Sequence, residues 1–333
     1  MKAVVLENLN QKLVVKEVTN PEIESHEALV KVSAAAYNHR DLWIQKGQYA
    51  GIRYPIILGS DGCGVVDKVG ADVKQDWLGK EVIINPSLNW GNNPRVQAKD
   101  YIILGTPNDG TFAEYVKIDA RLLHNKPTHL SHEAAAALPL AGLTGFRATM
   151  KRAQAKAGEN VLITGIGGGV ALLCMQFAIA AGCNVYVTSG SDDKIKAAMD
   201  MGANGGVNYK NNSWDKELKS MSDGGFDAIV DSSAGDTFAK LVDIAKPAGR
   251  IAMYGATLGP FNSGVPARIF WKQLDILGST MGSDEEFAEM LAFVNSHKIV
   301  PLVDSVFPME KAQEAIDKMS KGEQLGKIVL KIN

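Results

Sequence analysis

From Asn160 to Ser191 the chain runs thirty-two residues without one charged side chain, NVLITGIGGGVALLCMQFAIAAGCNVYVTSGS. So apolar a stretch has to be buried, either in lipid or in protein. A membrane span needs about 20 predominantly apolar residues, but here Gly165, Gly167, Gly168, Gly169, Gly182 and Gly190 divide the run into strand, turn, helix and strand. Residues 161–164 are short, apolar and partly β-branched, as expected of a parallel strand covered on both faces. Residues 170–181 have the length of a helix, and residues 184–188 read as a second strand. The pattern predicts a buried βαβ unit.

Glycines between the first strand and the helix let backbone N–H groups approach a pyrophosphate closely, and the helix N-terminus favours the anion. Gly165, Gly167, Gly168, Gly169 and Val170 are therefore the candidate dinucleotide turn. The spacing departs from G-x-G-x-x-G: counted from Gly165 the sixth residue is Val170, and counted from Gly167 the third and fifth are Gly169 and Ala171. An ordinary tight βα turn is the alternative. The surrounding strand, helix and second strand, all within ~30 residues, favour the dinucleotide reading.

At 333 residues the chain suits two domains. Its 35 basic and 37 acidic residues nearly balance, so nothing favours nucleic acid or another polyanionic partner. Cys63, Cys174 and Cys183 form no C-x-x-C pair and lie in apolar or glycine-rich surroundings, as buried thiols of a reducing compartment do. Glu7 follows too soon for a signal peptide's apolar core. The expectation is a cytoplasmic protein with no membrane association.

Before the glycine turn the sequence alternates at strand period, in MKAVVLE, KLVVKEV, EALVKVSAAAY, GCGVVDKVG, KEVIINP and TFAEYVKI, and predicts a compact β-rich domain. After about residue 131 helices and strands alternate. SHEAAAALPLAGLTGFRATMKR reads as one helix with Ser131 as N-cap. VLIT, NVYVT, GGVNY, FDAIVDSS, RIAMYG and LDILGSTM follow as strands of a doubly wound parallel sheet, with helices through DDKIKAAMDMG and up to Lys246. The final GKIVLKI returns to strand, so the first domain is expected to be discontinuous: residues 1–125 completed by 282–333, around a Rossmann domain at 126–281.

The segments NHRDLWIQKGQY, YPIILGSDGCGVV, DGTFAEYV, LPLAGLTGF and LGKIVLKI, together with the glycine turn, resemble the medium-chain dehydrogenase/reductase superfamily, and within it the zinc-independent, quinone-oxidoreductase-like branch. The resemblance covers essentially the whole chain. It implies a GroES-like β domain beside the Rossmann domain and hydride transfer between nicotinamide and substrate in the cleft between them. Zinc members of the superfamily use Cys, His and Cys ligands with an open fourth position. At the matching positions this chain has Asn38, Ser60 and Leu140, with Asp61 following Ser60, and Arg40 replaces the proton-relay hydroxyl. The lobe at 88–108, where a structural zinc would sit, contains no cysteine. His129 and His132 do not rescue a metal site, since no third ligand lies nearby in sequence. The expectation is an enzyme without zinc.

An NAD-binding unit usually ends its second strand in Asp or Glu, bonded to the ribose 2′-hydroxyl. Here Thr188-Ser189-Gly190-Ser191 occupies that place and the carboxylates wait until Asp192 and Asp193. A carboxylate at Ser189 would repel a 2′-phosphate by on the order of 4 kcal/mol at 4 Å and an effective dielectric of 20, so its absence permits NADPH. Lys194 and Tyr209 match the pair that holds the 2′-phosphate in NADPH-dependent relatives, against the alternative of a solvated helix lysine and a shared strand end. The expected cofactor is NADPH ahead of NADH.

By resemblance, Asn38 and Thr144 contact the nicotinamide end, Gly255 and Thr257 follow the strand beneath the ring, and Met281 and Gly282 close the pocket. Tyr49 stands eleven residues after Asn38, where related enoyl reductases place a catalytic tyrosine; it either donates a proton or lines the substrate pocket. Asp41 is expected to hold its loop through backbone N–H groups. Phe270 and Trp271 line an apolar acceptor site or belong to an interface. Without a Lewis acid, hydride transfer to an already electrophilic quinone or α,β-unsaturated carbonyl fits better than oxidation of an unactivated alcohol. The competing readings are an NADPH-binding sensor or structural module with little turnover and an alcohol dehydrogenase-like enzyme. The strand LDILGSTM, as the unpaired edge of the sheet, points to a homodimer.

Overall fold

The computed structural model describes residues 1–261 and 265–332. The chain divides into two compact units, residues 1–143 with 282–333, and residues 144–281.

In the first unit the ten-residue strand Glu27–Ala36 is the axis of a seven-stranded sheet. Asp61–Val69 pairs along most of it, Tyr115–Asp119 along its first half and Lys327–Lys331 with its last residues, all antiparallel. Glu81–Ile84 and Leu123–Asn125 extend the sheet on one side and Val303–Pro308 on the other. A second sheet joins Val14–Glu17, Lys2–Leu6 and Ile56–Ile57. Leu6, Val30, Tyr37, Leu58, Phe112 and Leu330 share one buried cluster, so the last strand of the chain packs into the core of the first residues. The seam falls after Leu143 and not at 125/126, because the helix His132–Ala136 lies on Glu27–Ala36 and Asp61–Val69.

SHEAAAALPLAGLTGFRATMKR is not one helix. His132–Ala136 and Pro139–Phe146 are separate, and Arg147–Arg152 continues as a π-helical turn closed by Ala153 N–H donating to Ala148 O at 2.9 Å. Proline lacks the N–H that would continue a helix and pushes the preceding residue away from the α region, yet it fits a helix's first turn. Ser131 caps as its sequence suggests, its hydroxyl accepting from Ala134 N–H at 3.2 Å.

In the second unit six parallel strands lie in the order Gly205–Asn208, Asn184–Ser189, Asn160–Ile163, Phe226–Asp231, Ala245–Met253 and Asp275–Gly278. This is the 3-2-1-4-5-6 order of a doubly wound dinucleotide-binding sheet. The order reverses between Asn160–Ile163 and Phe226–Asp231, and the chain turns there are the ones that can hold a ligand. The helix Gly169–Ala180 buries Leu172, Leu173, Cys174, Met175 and Phe177, which lie on more than one of its faces; a helix apolar all round is a buried one, and this accounts for the charge-free run. The helix expected to reach Lys246 ends at Ile244, and the strand Ala245–Met253 starts at once. No helix among the described residues is long and apolar enough to cross a membrane.

Gly64 lets the two longest strands of the first sheet meet: a Cβ there would stand 2.0 Å from the Lys31 carbonyl oxygen. Because that obstacle is backbone in mid-sheet, Gly64→Ala is expected to destabilise the protein by about 3 kcal/mol, the upper part of the overpacking range. Urea unfolding of the two proteins measures the difference.

Candidate active site

Two sets of residues carry the candidate chemistry, one in each unit. In the second unit the strand Asn160–Ile163 ends in a turn whose Gly165 and Gly167 have φ of +67° and +142°. Thr188 fastens it: its hydroxyl accepts from Gly165 N–H at 3.1 Å and its carbonyl from Ile166 N–H at 2.7 Å. The turn after Phe226–Asp231 lies alongside, since a Cβ on Gly165 would stand 3.1 Å from Ser232 Oγ. Asp231 binds both turns, accepting from Thr164 Oγ1 at 2.6 Å and from Ala234 N–H at 2.8 Å. Gly168 N-caps the helix that begins at Gly169, with Val170 next in its first turn.

Lys194 crosses this turn. A Cβ on Gly167 would meet Lys194 Cδ at 2.9 Å and Nζ at 3.3 Å, which places the lysine's end against the turn, while the backbone φ of +142° is what favours glycine there. Tyr209 stands over Gly190 in the same way, its Oη 2.7 Å from where a Cβ would be. Lys194 thus lies against the glycine turn, and Tyr209 against Gly190 just past the end of the second strand. Ser189 is buried, its hydroxyl donating to Ile166 O at 3.0 Å and accepting from Ser191 N–H at 3.3 Å. Asp192 accepts from Asn208 Nδ2 at 2.8 Å. Gly255 and Thr257 lie against the Ser232 carbonyl, which a Cβ on Gly255 would approach to 2.8 Å. Thr144 Oγ1 is 3.5 Å from Met281 Sδ, and Met281 holds a left-handed backbone at φ +39°. Gly282 belongs to the first unit, where its carbonyl accepts from Ser87 Oγ at 2.6 Å. Phe270 and Trp271, on the helix Pro266–Lys272, are 69% and 83% exposed.

In the first unit Asn38 caps the helix His39–Gln45, and Asp41 accepts from Asn38 N–H at 2.8 Å. Both side-chain ends of Asn38 are committed. Nδ2 donates to Asp61 Oδ2 at 2.9 Å, while Oδ1 accepts from Lys327 Nζ at 2.6 Å. Lys327 also pairs with Asp61 Oδ2 at 2.9 Å, and Asp61 Oδ1 takes Leu140 N–H at 2.7 Å. Asp61, Asn38 and Lys327 form a closed buried triad. Beside it the Arg40 guanidinium donates through Nη1 to Ser60 Oγ at 2.7 Å and Leu104 O at 2.8 Å, and lies 4.9 Å from the centre of the Tyr49 ring.

This donor set does not fit zinc. The Asn38 amide is spent within the triad, the Ser60 hydroxyl donates to Leu104 O at 2.8 Å, Leu140 offers only a hydrocarbon, and a guanidinium lies at the same place. His129 and His132 are separately engaged, with Ile299 O at 3.0 Å and Glu81 Oε1 at 2.8 Å. Among the described residues no three His, Cys, Asp or Glu side chains are grouped to hold a metal ion. Lys327 was not singled out in the sequence, where 266 positions separate it from Asp61.

The family model described as "Alcohol dehydrogenase GroES-like domain" matches residues 24–128, and the one described as "Zinc-binding dehydrogenase" matches residues 169–296. The chain is 36% identical to the zinc-type alcohol dehydrogenase-like protein YogA of Leptosphaeria maculans, over 95% of this chain and 93% of that protein. It is 27% identical to the quinone oxidoreductase of Mus musculus over 94% and 92%. A crystal structure titled as an NAD-dependent alcohol dehydrogenase superposes with a TM-score of 0.94 at 37% identity, covering all of both chains. Fold and site define an oxidoreductase built on a GroES-like β domain and a Rossmann sheet. The chain belongs to the medium-chain dehydrogenase/reductase superfamily.

Burial raises the Asp41 carboxyl to about 6, against the opposing pull of Arg40, the Asn38 amide and Lys327. The folded chain therefore holds the Asp41 proton more tightly than the unfolded chain. Stability from this group is present at low pH and is lost as pH rises from about 4 to about 6. The stability difference between wild type and Asp41→Asn should accordingly shift against the wild type across that window, as denaturant titrations at stepped pH would show.

Proposed function

We propose that this protein is a zinc-independent, cytoplasmic reductase that passes hydride from NADPH to a quinone or an α,β-unsaturated carbonyl compound. The observation that carries the reading is the occupation of the zinc-ligand positions: Asn38 is locked to Asp61 and Lys327, Ser60 to Arg40 and Leu104, and Leu140 has no donor atom. With no Lewis acid to ionise an alcohol, the acceptors that suit these residues are those already electrophilic at carbon. The name of the mouse relative, quinone oxidoreductase, points the same way.

NADPH, when bound, supplies the hydride. Backbone N–H groups of Gly165 to Val170 would hold its pyrophosphate at the helix N-terminus. Lys194 beside that turn and Tyr209 beside Gly190 suit the 2′-phosphate, with Ser189 and Ser191 in place of a repelling carboxylate. Thr144, Gly255, Thr257, Met281 and Gly282 serve the nicotinamide end and Tyr49 the substrate, while the Asn38 amide, expected at the nicotinamide, is committed to Asp61 and Lys327. Asp275–Gly278 is an edge strand of its sheet, which supports pairing with a second copy as a homodimer.

A second reading, an alcohol dehydrogenase using NADH, is favoured by the names of the 36% and 37% identical relatives. Oxidation of NADPH and NADH followed against quinones, enones and aldehydes, with zinc measured in the same protein, separates the two. The expected outcome is NADPH oxidation by quinones or enones without stoichiometric zinc. One zinc per chain, lost together with activity on chelation, would overturn it. Binding of NADPH with no oxidation across the panel would favour a sensor instead.

Lys194→Ala tests the cofactor assignment. Loss of a charge-assisted hydrogen bond worth roughly 1.5 to 3 kcal/mol should weaken NADPH about tenfold or more. NADH affinity, measured by fluorescence titration, should not change; equal loss for both would refute a role in reading the 2′-phosphate.

A further inference from the structure

Arg40 is a buried cation whose hydrogen-bond acceptors are all neutral. It is 7% exposed, and its guanidinium donates to Ser60 Oγ and Leu104 O at 2.7 and 2.8 Å and, at the long distance of 3.4 Å, to Tyr49 Oη and Ile103 O. Asp41, its neighbour in the chain, feels the charge but turns its carboxylate oxygen Oδ2 to the Asn38 amide. Asp61, the other buried carboxylate, is taken by Lys327, Asn38 and Leu140. Burying an unpaired charge is costly. A guanidinium presents five N–H donors; the contacts above use four, two of them weakly, so one Nη2 hydrogen and two stretched ones remain for an anion.

Tyr49 is oriented by the same group. Arg40 Nε–H points at the Tyr49 oxygen, so that oxygen acts as acceptor towards Arg40 and its own proton is left to donate elsewhere. Guanidinium and phenol therefore sit together, one supplying positive charge and the other a proton. They stand on the helix His39–Gln45 and the segment just after it, with Arg40 donating to Ser60, at a position where the resemblance implies a zinc ligand in other members.

We propose that Arg40 is a catalytic residue of the reductase reaction proposed above, stabilising the oxyanion that forms on the acceptor's carbonyl oxygen, with Tyr49 protonating that oxygen. The inference rests on that functional reading. NADPH, when bound, would supply the hydride that bonds to the β-carbon of an enone. The C=C electron pair moves to the bond between α-carbon and carbonyl carbon, and the carbonyl π pair moves onto oxygen beside Arg40. The Tyr49 O–H bond then breaks, its proton bonds to the enolate oxygen, and the enol reverts to the saturated carbonyl compound in solution. The phenolate left on Tyr49 lies against the guanidinium until water reprotonates it. Fixed donors aimed at developing charge are commonly the largest single contribution to such a step.

The test uses the full-length protein with para-nitrophenol as an oxyanion probe, since its phenolate form is coloured and its neutral form is not. Wild type should bind the probe as phenolate at a pH where the free compound is mostly protonated, and a colourless bound form would overturn the proposal without any variant. Arg40→Gln should weaken phenolate binding at least tenfold and lower kcat for an enone on the order of 100-fold, with NADPH affinity unchanged. Arg40→Lys should recover part of both. A purely structural strut would instead lower the melting temperature and leave kcat and the phenolate affinity of the folded fraction within twofold of wild type, which refutes the catalytic role. If wild type reduces no quinone or enone yet binds the phenolate through Arg40, the functional reading fails while the anion site stands.

Discussion

Asp61 has no exposure to solvent, and a carboxylate so placed has to be met by donors from the protein alone. It finds them on three segments far apart in the sequence: Asn38 at a helix start, Leu140 in the first turn of another helix, and Lys327 in the last strand. Taking one partner from a buried pair strands the other charge and costs about 3 to 5 kcal/mol. The triad is therefore a demand on the whole first unit. The final strand has to return to Glu27–Ala36 in the register that pairs Val329 with Ala36, and the helix has to begin at Asn38. Once that helix start is set, the direction in which Arg40 leaves its first turn is set with it.

The second unit answers a different constraint. Its chemistry is carried by backbone, and backbone can be presented only where the chain is held in a shape most residues refuse. Gly165 and Gly167 adopt those shapes, and Thr188 and Asp231 pin the two turns at the point where the strand order reverses. The side chain of Ser189, at the end of the second strand, is part of this scaffold and donates its hydroxyl to the turn. A carboxylate there would have to displace that bond before it met any ligand, so the residue's small size matters to the turn as well as to charge.

The βαβ unit was legible because burial on both faces leaves a local mark, a run of residues without charge broken only at glycines. Seven strands of the first unit were legible for the same local reason, as alternation, whereas Val303–Pro308 and the two- and three-residue strands such as Ile56–Ile57 and Leu123–Asn125 are too short or too mixed to leave that mark. The helix read through SHEAAAALPLAGLTGFRATMKR failed at Pro139, where a missing N–H outweighs a continuous apolar pattern. The boundary placed at 125/126 missed because packing of His132–Ala136 on the β-sheet is not a property of the linker's composition. Asn38, Ser60 and Leu140 could be recognised as an unsuitable donor set from their types alone. What fills the space could not: Lys327 and Asp61 are brought together by strand pairing, and no periodicity connects positions 266 residues apart.

Residues of this kind, where the family resemblance would place a metal's ligands, suit the site to different chemistry. A zinc ion ionises a bound alcohol or water because it bonds directly to oxygen and carries two charges. A guanidinium carries one charge spread over a plane, keeps its protons and offers only hydrogen bonds. It cannot draw a proton off an alcohol, but it can receive negative charge as that charge forms. If Arg40 acts as proposed, the direction of the chemistry follows from its identity: the site favours substrates that acquire an oxyanion on accepting hydride over those that have to lose a proton before giving one up. Covalent attachment adds a further difference, since a side-chain cation cannot be chelated away, and its position depends only on the fold that Asp61, Asn38 and Lys327 hold together.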